Sequence, residues 1–201
     1  MKGKDYNLQT ENPDVILKGD SVFAYSDVEG TMENKTKLNS VGNQNYGLYS
    51  AGIIKNSADI NFGTGVGNVG IYSISYTDSI GKEIAGKASN GVAGFPLSSQ
   101  PKITVSKSDD KNKIYGIGMA AGYADETGFV KRIGQIENFG TIEVFEENGI
   151  GMYAVGSGSK AINHGVINLS GKKTVGMYLD HDAVGENYGV IKTIPNTKND
   201  G

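Results

Sequence analysis

The chain repeats itself. "NFGTI" occupies residues 138–142, "NHGVI" 163–167 and "NYGVI" 187–191, with starts 25 and then 24 residues apart. A second column keeps nearly the same interval. "GLYSAG" begins at Gly47, "GIYSIS" at Gly70, "GFPLSS" at Gly94, "GMAAGY" at Gly118, "GMYAVG" at Gly151 and "GMYLDH" at Gly176, in steps of 23, 24, 24, 33 and 25 residues. A weaker copy, "SVFAYSD", lies about one period upstream at residues 21–27. Two columns on a shared period mark a chain built of stacked units, none of which can bury its inner face alone.

One repeat shows what each unit folds into. "GMYAVGSGSKAINHGVINLSGKKT", from Gly151, holds three short alternating pieces, "IGMYAV" (with Ile150), "KAIN" and "GVINLS". They are separated by "GSGS", "HG" and "SGKK", breaks rich in turn-forming residues. No piece carries apolar residues at three-four spacing over ten or more positions, so helices are not expected. Apolar residues flank each repeated glycine: Tyr46, Val69, Ala93, Ile117, Ile150 and Val175 before it, and Leu48, Ile71, Phe95, Met119, Met152 and Met177 after it. Strand alternation predicts that both flanking columns face inward. In the third piece Ile60/Phe62, Ile103/Val105, Ile142/Val144 and Ile167/Leu169 repeat the spacing of two around the polar residues Asn61, Thr104, Glu143 and Asn168.

Three short strands per turn predict an all-β, right-handed parallel β-helix of about seven coils of 23–25 residues. At the interstrand spacing, seven coils make a rod of about 34 Å. The expected organisation is a single β-helical segment. Residues 1–14 form a polar lead, 15–194 the coils with a loop insertion near 123–132, and 195–201 a polar tail. Asn56, Asn138, Asn163 and Asn187 fall at one corner, where asparagine tolerates left-handed backbone and its amide can bond to the amides above and below. They are read as a structural ladder.

Composition narrows the function classes. Nineteen basic and 22 acidic residues give a net charge of −3, with no basic stripe for nucleic acid. Glycine, at 30 of 201 residues, is about twice its usual share and fits many strands with tight corners. No cysteine is present, which excludes disulfides and thiolate metal sites. No stretch approaches 18 apolar residues, so no membrane-spanning helix is expected, and the first twenty residues lack the apolar core of a signal peptide.

Three groups of side chains can carry function. Paired carboxylates are the first: Asp109 and Asp110, Glu146 and Glu147, and Asp180 with Asp182 around His181. Glycan hydrolysis needs two or three convergent carboxylates, and the first two pairs sit in turns where neighbours diverge. His181 between two acids is a weak metal candidate, since His164, the other histidine, lies one coil earlier at another phase. No metal, cofactor or catalytic residue is assigned. The second group is aromatic. Tyr49, Tyr72, Tyr153 and Tyr178 occupy the outward position two after the glycine, with Pro96 and Ala120 in the same column. Phe139, His164 and Tyr188 form another column. Tyrosine's apolar face and polar tip suit sugar or protein recognition; stacked tyrosines also stabilise strands by same-face pairing. The third is the insertion near 123–132, which carries Asp125, Glu126, Lys131 and Arg132 for contacts, or Phe129 and Val130 to cover a core edge.

Residues 148–191, "NGIGMYAVGSGSKAINHGVINLSGKKTVGMYLDHDAVGENYGVI", resemble the passenger repeats of type V autotransporter adhesins, most closely the very large fusobacterial outer-membrane type. "NYGLYSAGIIKNSADINF", residues 45–62, shares the resemblance. It implies a surface-displayed passenger that contacts host cells or other bacteria, anchored to the outer membrane by a barrel outside this chain, and it implies no catalytic motif. The expected function is therefore non-enzymatic: adhesion through a surface protein or glycan, with no nucleic acid and no membrane insertion by this segment. A β-helical polysaccharide-active enzyme and a purely structural spacer are the alternatives. Unpaired strand edges at the ends predict end-to-end self-association.

Overall fold

The computed structural model describes residues 5–8, 14–26, 30–125 and 127–195. The strands stack into three parallel sheets that wrap one core as a right-handed parallel β-helix. The first sheet contains Asp5–Leu8, Thr31–Asn34, Ile53–Asn56, Glu83–Asn90, Gly134–Asn138, Lys160–Asn163 and Val184–Asn187. The second runs through Asp14–Leu17, Lys37–Ser40, Ile60–Asn61, Lys102–Val105, Thr141–Val144, Val166–Leu169 and Val190–Thr193. The third stacks Val22–Ser26, Tyr46–Ser50, Val69–Ser73, Ile117–Ala121, Ile150–Val155 and Val175–Asp180. Side chains one coil apart lie in rows: Met119 pairs Met152, which pairs Met177, and Ile103, Ile142, Ile167 and Ile191 run in series. Leu48, Ile71, Met119 and Met152 are fully buried, as are Ile60, Ile103, Ile142 and Ile167. Each such side chain contributes about 1.5–3 kcal/mol on burial.

The repeated glycine interrupts the alternation. Met119 and Met152 enter the core, but Ile117 and Ile150, expected beside them, line an outer groove. The glycine between them also faces inward. A Cβ on Gly118 would lie 2.6 Å from the Gly151 carbonyl oxygen and 2.9 Å from Ile142 Cγ2. Two successive inward residues shift the phase by one, so the column before the glycine leaves the central cluster and packs beneath the groove, where Val69 and Ile150 stay buried. The expectation that both flanking columns face inward is corrected in direction for this one, though not in burial at those two positions.

Gly94 does not begin a coil. The strand Val69–Ser73 pairs directly with Ile117–Ala121, so this step takes 48 residues, from Gly70 to Gly118. The surplus emerges in three places. Ser75–Thr77 folds back antiparallel on the start of Glu83–Asn90. Residues 91–101 form a loop with a single 3-10 turn at Leu97–Ser99, and residues 107–116 form another, pinched at the Asp109–Ile114 bridge. At Gly94 a Cβ would meet nothing within 4 Å, the reverse of the crowding at the true column glycines. Phe95 is accordingly 65% exposed rather than core, and Pro96 caps the 3-10 turn rather than sitting among the tyrosines. In the expected insertion, Tyr123–Ala124 and Val130–Arg132 pair antiparallel.

Coiling also begins earlier than the sequence predicts. Asp5–Leu8 and Asp14–Leu17, inside or at the edge of the segment read as a polar lead, pair with Thr31–Asn34 and Lys37–Ser40. Glu126 and residues 196–201 of the expected polar tail lie outside the described residues. Among the described residues no helix is long and apolar enough to cross a membrane.

Candidate functional site

The third sheet turns a row of tyrosines outward. Tyr25, Tyr49 and Tyr72 lie in register on successive coils, Ala120 follows, and Tyr153 and Tyr178 complete the row. Strand geometry places these rings, because the outward position recurs once per coil at one height on the sheet. Tyr49 and Tyr72 stack with centroids 5.0 Å apart and planes 12° from parallel, and Tyr153 and Tyr178 stack at 5.7 Å and 15°. Tyr46, the residue before its glycine, joins the row from the side at 6.0 Å from both Tyr49 and Tyr72. The four sequence-predicted tyrosines thus form two stacked pairs separated by Ala120.

Beside this row runs an open groove. Its first part, about 610 Å³, has Val69, Ile117 and Ala120 among its apolar lining and Tyr46, Tyr72 and Tyr153 along one side. Its second part, about 430 Å³, continues past Ile150 and Val175 to Tyr178, and Tyr115, Ile117 and Tyr153 line both. The insertions supply the remaining walls: Tyr115 ends the 107–116 loop, and Tyr123 opens the 123–132 hairpin. Sequence reasoning missed Tyr46, Tyr115 and Tyr123; their signal was an aromatic directly beside each strand boundary of an irregular repeat. Burial raises the Tyr72 phenol far above its ordinary value, and its hydroxyl donates to the Gly122 carbonyl oxygen at 2.9 Å. Tyr153 is pushed up to about 12, first by burial and then by the nearby Asp180 carboxylate. Both rings are therefore neutral donors throughout the physiological range.

Of the carboxylate candidates, Asp110 and Asp180 both line the second part of the groove, while the others stand apart from it. Asp109 closes its own loop, accepting from the Asn112 side-chain amide at 2.7 Å, and Glu147 pairs with Lys107 at 3.9 Å. His181 and Asp182 both have left-handed backbone, φ 49° and 62°, in the turn after the third-sheet strand, and His181 Nδ1 contacts Asp180 Oδ1 at 2.8 Å. Among the described residues no three histidine, aspartate or glutamate side chains gather as a metal-binding group. In the hairpin, Asp125 Oδ1 accepts from the Thr127 hydroxyl at 2.6 Å and from the backbone N–H groups of Thr127 and Phe129 at 3.0 Å. Those bonds, led by Thr127, hold its carboxyl down to about 2. Lys131 bridges Asp125 at 3.2 Å and sits 4.3 Å over the Phe129 ring. These residues hold the hairpin closed.

Phe139, His164 and Tyr188 stack at 5.0 and 5.2 Å on another corner, with His164 Nε2 3.0 Å from Glu137 Oε1. Just inside that corner runs a continuous asparagine ladder. Each Nδ2 donates to the next Oδ1 along Asn34, Asn56, Asn90, Asn138, Asn163 and Asn187, at 2.8–2.9 Å. Sequence reading identified Asn56, Asn138, Asn163 and Asn187. It missed Asn34 and Asn90.

A three-faced parallel β-helix with an aromatic outer groove belongs among the pectate lyase-like β-helices. More particularly, the chain belongs to the family of the BigA third pectate lyase-like domain, whose model matches residues 4–189. No curated protein and no solved structure matches it.

Proposed function

We propose that the chain is a non-enzymatic segment of a surface-displayed bacterial passenger, of the large autotransporter adhesin type, that contacts host-cell or bacterial surfaces through the tyrosine groove. Membership in the BigA third pectate lyase-like family fits a surface-displayed passenger. The observation that carries the contact reading is the groove itself, an open channel flanked by in-register tyrosines along the third sheet. A solvent-open aromatic strip of this kind supplies large, rigid, amphipathic contact area. In such a protein the segment sits outside the outer membrane, held by an anchoring barrel elsewhere in the whole protein.

Saturable binding of the purified chain to epithelial cells, to bacterial cells or to immobilised glycans tests this. Tyr153→Ser with Tyr178→Ser is expected to weaken that binding by about tenfold or more. Unchanged binding in the double variant refutes the groove as the contact surface. The pectate lyase-like family favours a second reading, a polysaccharide-active enzyme. Asp110 and Asp180, which both line the groove, are the carboxylates such an enzyme would use; the placement of Asp109, Glu147 and Asp182 on separate turns and loops weighs against it, and release of reducing or unsaturated ends from a panel of polyuronides and neutral glycans would establish it.

A further inference from the structure

We infer that the groove's selectivity lies in the coil that breaks the tyrosine row, and that the groove over this coil receives one sugar ring of an uncharged glycan, held against Tyr153 by Tyr115 and Tyr123. This rests on the reading of the groove as a contact surface and names its ligand class. Along the row, Tyr49 and Tyr72 occupy one another's faces, as do Tyr153 and Tyr178. Ala120 carries no ring. Tyr72 and Tyr153 pair with Ala120 from either side, so their backbones stand two strand spacings apart, about 9.6 Å. Tyr72 leans across the break, its hydroxyl reaching the Gly122 carbonyl oxygen of the Ala120 coil, so the ring left without a stacking partner on this side is that of Tyr153.

The same coil builds the rest of the enclosure. Its two insertions bring Tyr115 and Tyr123 to the groove, 36% and 48% exposed. Ala120, only 3% exposed, is covered by the rings, and Ile117 with Val69 lines the apolar side of the groove. Tyr72 cannot swing away easily, since its hydroxyl is tied to the Gly122 carbonyl oxygen. Four tyrosines beside this apolar side offer ring faces to the C–H face of a pyranose, which meets the negative face of an aromatic quadrupole favourably. The volume of about 610 Å³, opening into a further 430 Å³, falls in the range of small-ligand sites and leaves room for neighbouring units.

The rim decides the charge class. Asp20 and Lys113 line the first part, and Asp110, Asp180 and Lys173 the second. Acids outnumber bases there, so a polyuronide or sialylated chain would meet no net positive field. Gln44 and Asn148 add side-chain amides that can both donate to and accept from sugar hydroxyls.

The test uses the full 201-residue chain on a printed array of neutral, sialylated and uronic-acid glycans. Neutral glycans are expected to bind best. Ala120→Tyr, which fills the break with the ring found on adjacent coils, should lower binding at least about tenfold. Because Ala120 is buried, Tyr115→Ser with Tyr123→Ser provides a second arm at exposed positions and should give a similar loss with an unchanged melting temperature. Tyr188→Ser, 68% exposed on another corner, should leave binding unchanged. Preference for the acidic glycans, or neutral-glycan binding indifferent to both groove variants, overturns the inference. Cell binding that resists glycosidase treatment yet falls with Tyr153→Ser and Tyr178→Ser also overturns it while leaving the contact-surface reading intact. Absence of any cell or glycan binding removes both.

Discussion

Replacing Asn138 with alanine measures what the buried ladder contributes to the fold. Asn138 Nδ2 donates to Asn163 Oδ1 at 2.9 Å, and its Oδ1 accepts from Asn90 Nδ2 at 2.9 Å. It also bonds both backbone groups of Gly140, at 3.1 and 3.2 Å. The Gly140 groups have other partners, since the N–H donates to the Asn90 carbonyl oxygen and the C=O accepts from Val166 N–H. The two ladder neighbours are worse placed. Asn90 Nδ2 keeps only a 3.4 Å contact to the Pro101 carbonyl oxygen, and the buried Asn163 Oδ1 loses its ladder donor. Each orphaned buried group costs about 1–3 kcal/mol, so Asn138→Ala should destabilise by about 4 kcal/mol. Asn61→Ala provides the control. Its amide donates to Asn39 Oδ1 at 3.0 Å on the polar outer side of the second sheet, where water replaces the partner, and about 0.5 kcal/mol is expected. Urea unfolding followed by circular dichroism compares the two, with the m-value checked because stacked coils can uncouple. Equal costs for Asn138→Ala and Asn61→Ala would refute the view that the ladder holds this corner together.

Asn138→Asp sharpens the same prediction. Protonated, the new side chain can accept from Asn90 Nδ2 and donate to Asn163 Oδ1, restoring both ladder bonds. Ionised, it would be a buried charge facing the Asn163 oxygen, so folding raises its pKa above the unfolded value of about 3.9. The variant's stability is then greatest below that value and falls as pH rises through it, because the unfolded chain ionises first. A flat stability profile from acid to neutral pH would count against a dry, one-directional ladder.

Two glycines that share a sequence column should differ in cost. Gly151→Ala puts a Cβ 2.6 Å from the Gly176 carbonyl oxygen and should destabilise by about 3 kcal/mol, whereas Gly94→Ala meets open space at φ 84° and should cost only about 1 kcal/mol. Absorbance titration of the 11 tyrosines should show a late group, including Tyr72 and Tyr153, that ionises above the ordinary value of about 10. The folded-state pKa values of that late group are raised, so stability holds below the ordinary value and declines as pH climbs toward about 12; a single early step for all 11 tyrosines refutes the burial. The isolated chain should self-associate end to end through the last described strand, where Val190 and Ile191 are 49% and 36% exposed. A strictly monomeric sedimentation profile at high concentration argues against it.

The sequence displays what the stacking geometry repeats. Asn138, Asn163 and Asn187, and Met152 with Met177, recur at intervals of 24 or 25 residues because neighbouring coils impose the same contact on each. It conceals what depends on only one level. "GFPLSS" imitates "GIYSIS" in spacing, but whether a glycine faces another coil's carbonyl or open solvent is a tertiary fact, and Gly94 faces solvent. The outward turn of Ile117 and Ile150 is hidden for a related reason: an apolar residue beside a glycine reads as core unless the glycine is known to take an inward place itself. Asn34 and Asn90 join the ladder without the flanking motif, since the ladder needs only the amide at the corner.

Perfect repetition and recognition work against each other on this surface. In a regular aromatic row each ring's face is taken by the ring one coil away, so the row stabilises itself and presents edges. A free ring face requires a missing ring, and walls around it require residues that a 24-residue coil cannot spare. The coil containing Ala120 meets both needs, losing its tyrosine and gaining inserted residues on either side of the strand. The fold accommodates this readily because the insertions leave at corners while the registers resume: the ladder passes from Asn56 to Asn90 to Asn138 at 2.9 Å although these lie 34 and then 48 residues apart. Loop-closure cost grows only slowly with length, about 0.6 kcal/mol per doubling. The physics that keeps the coils alike therefore tolerates one that differs, and the groove's enclosure is built at that coil.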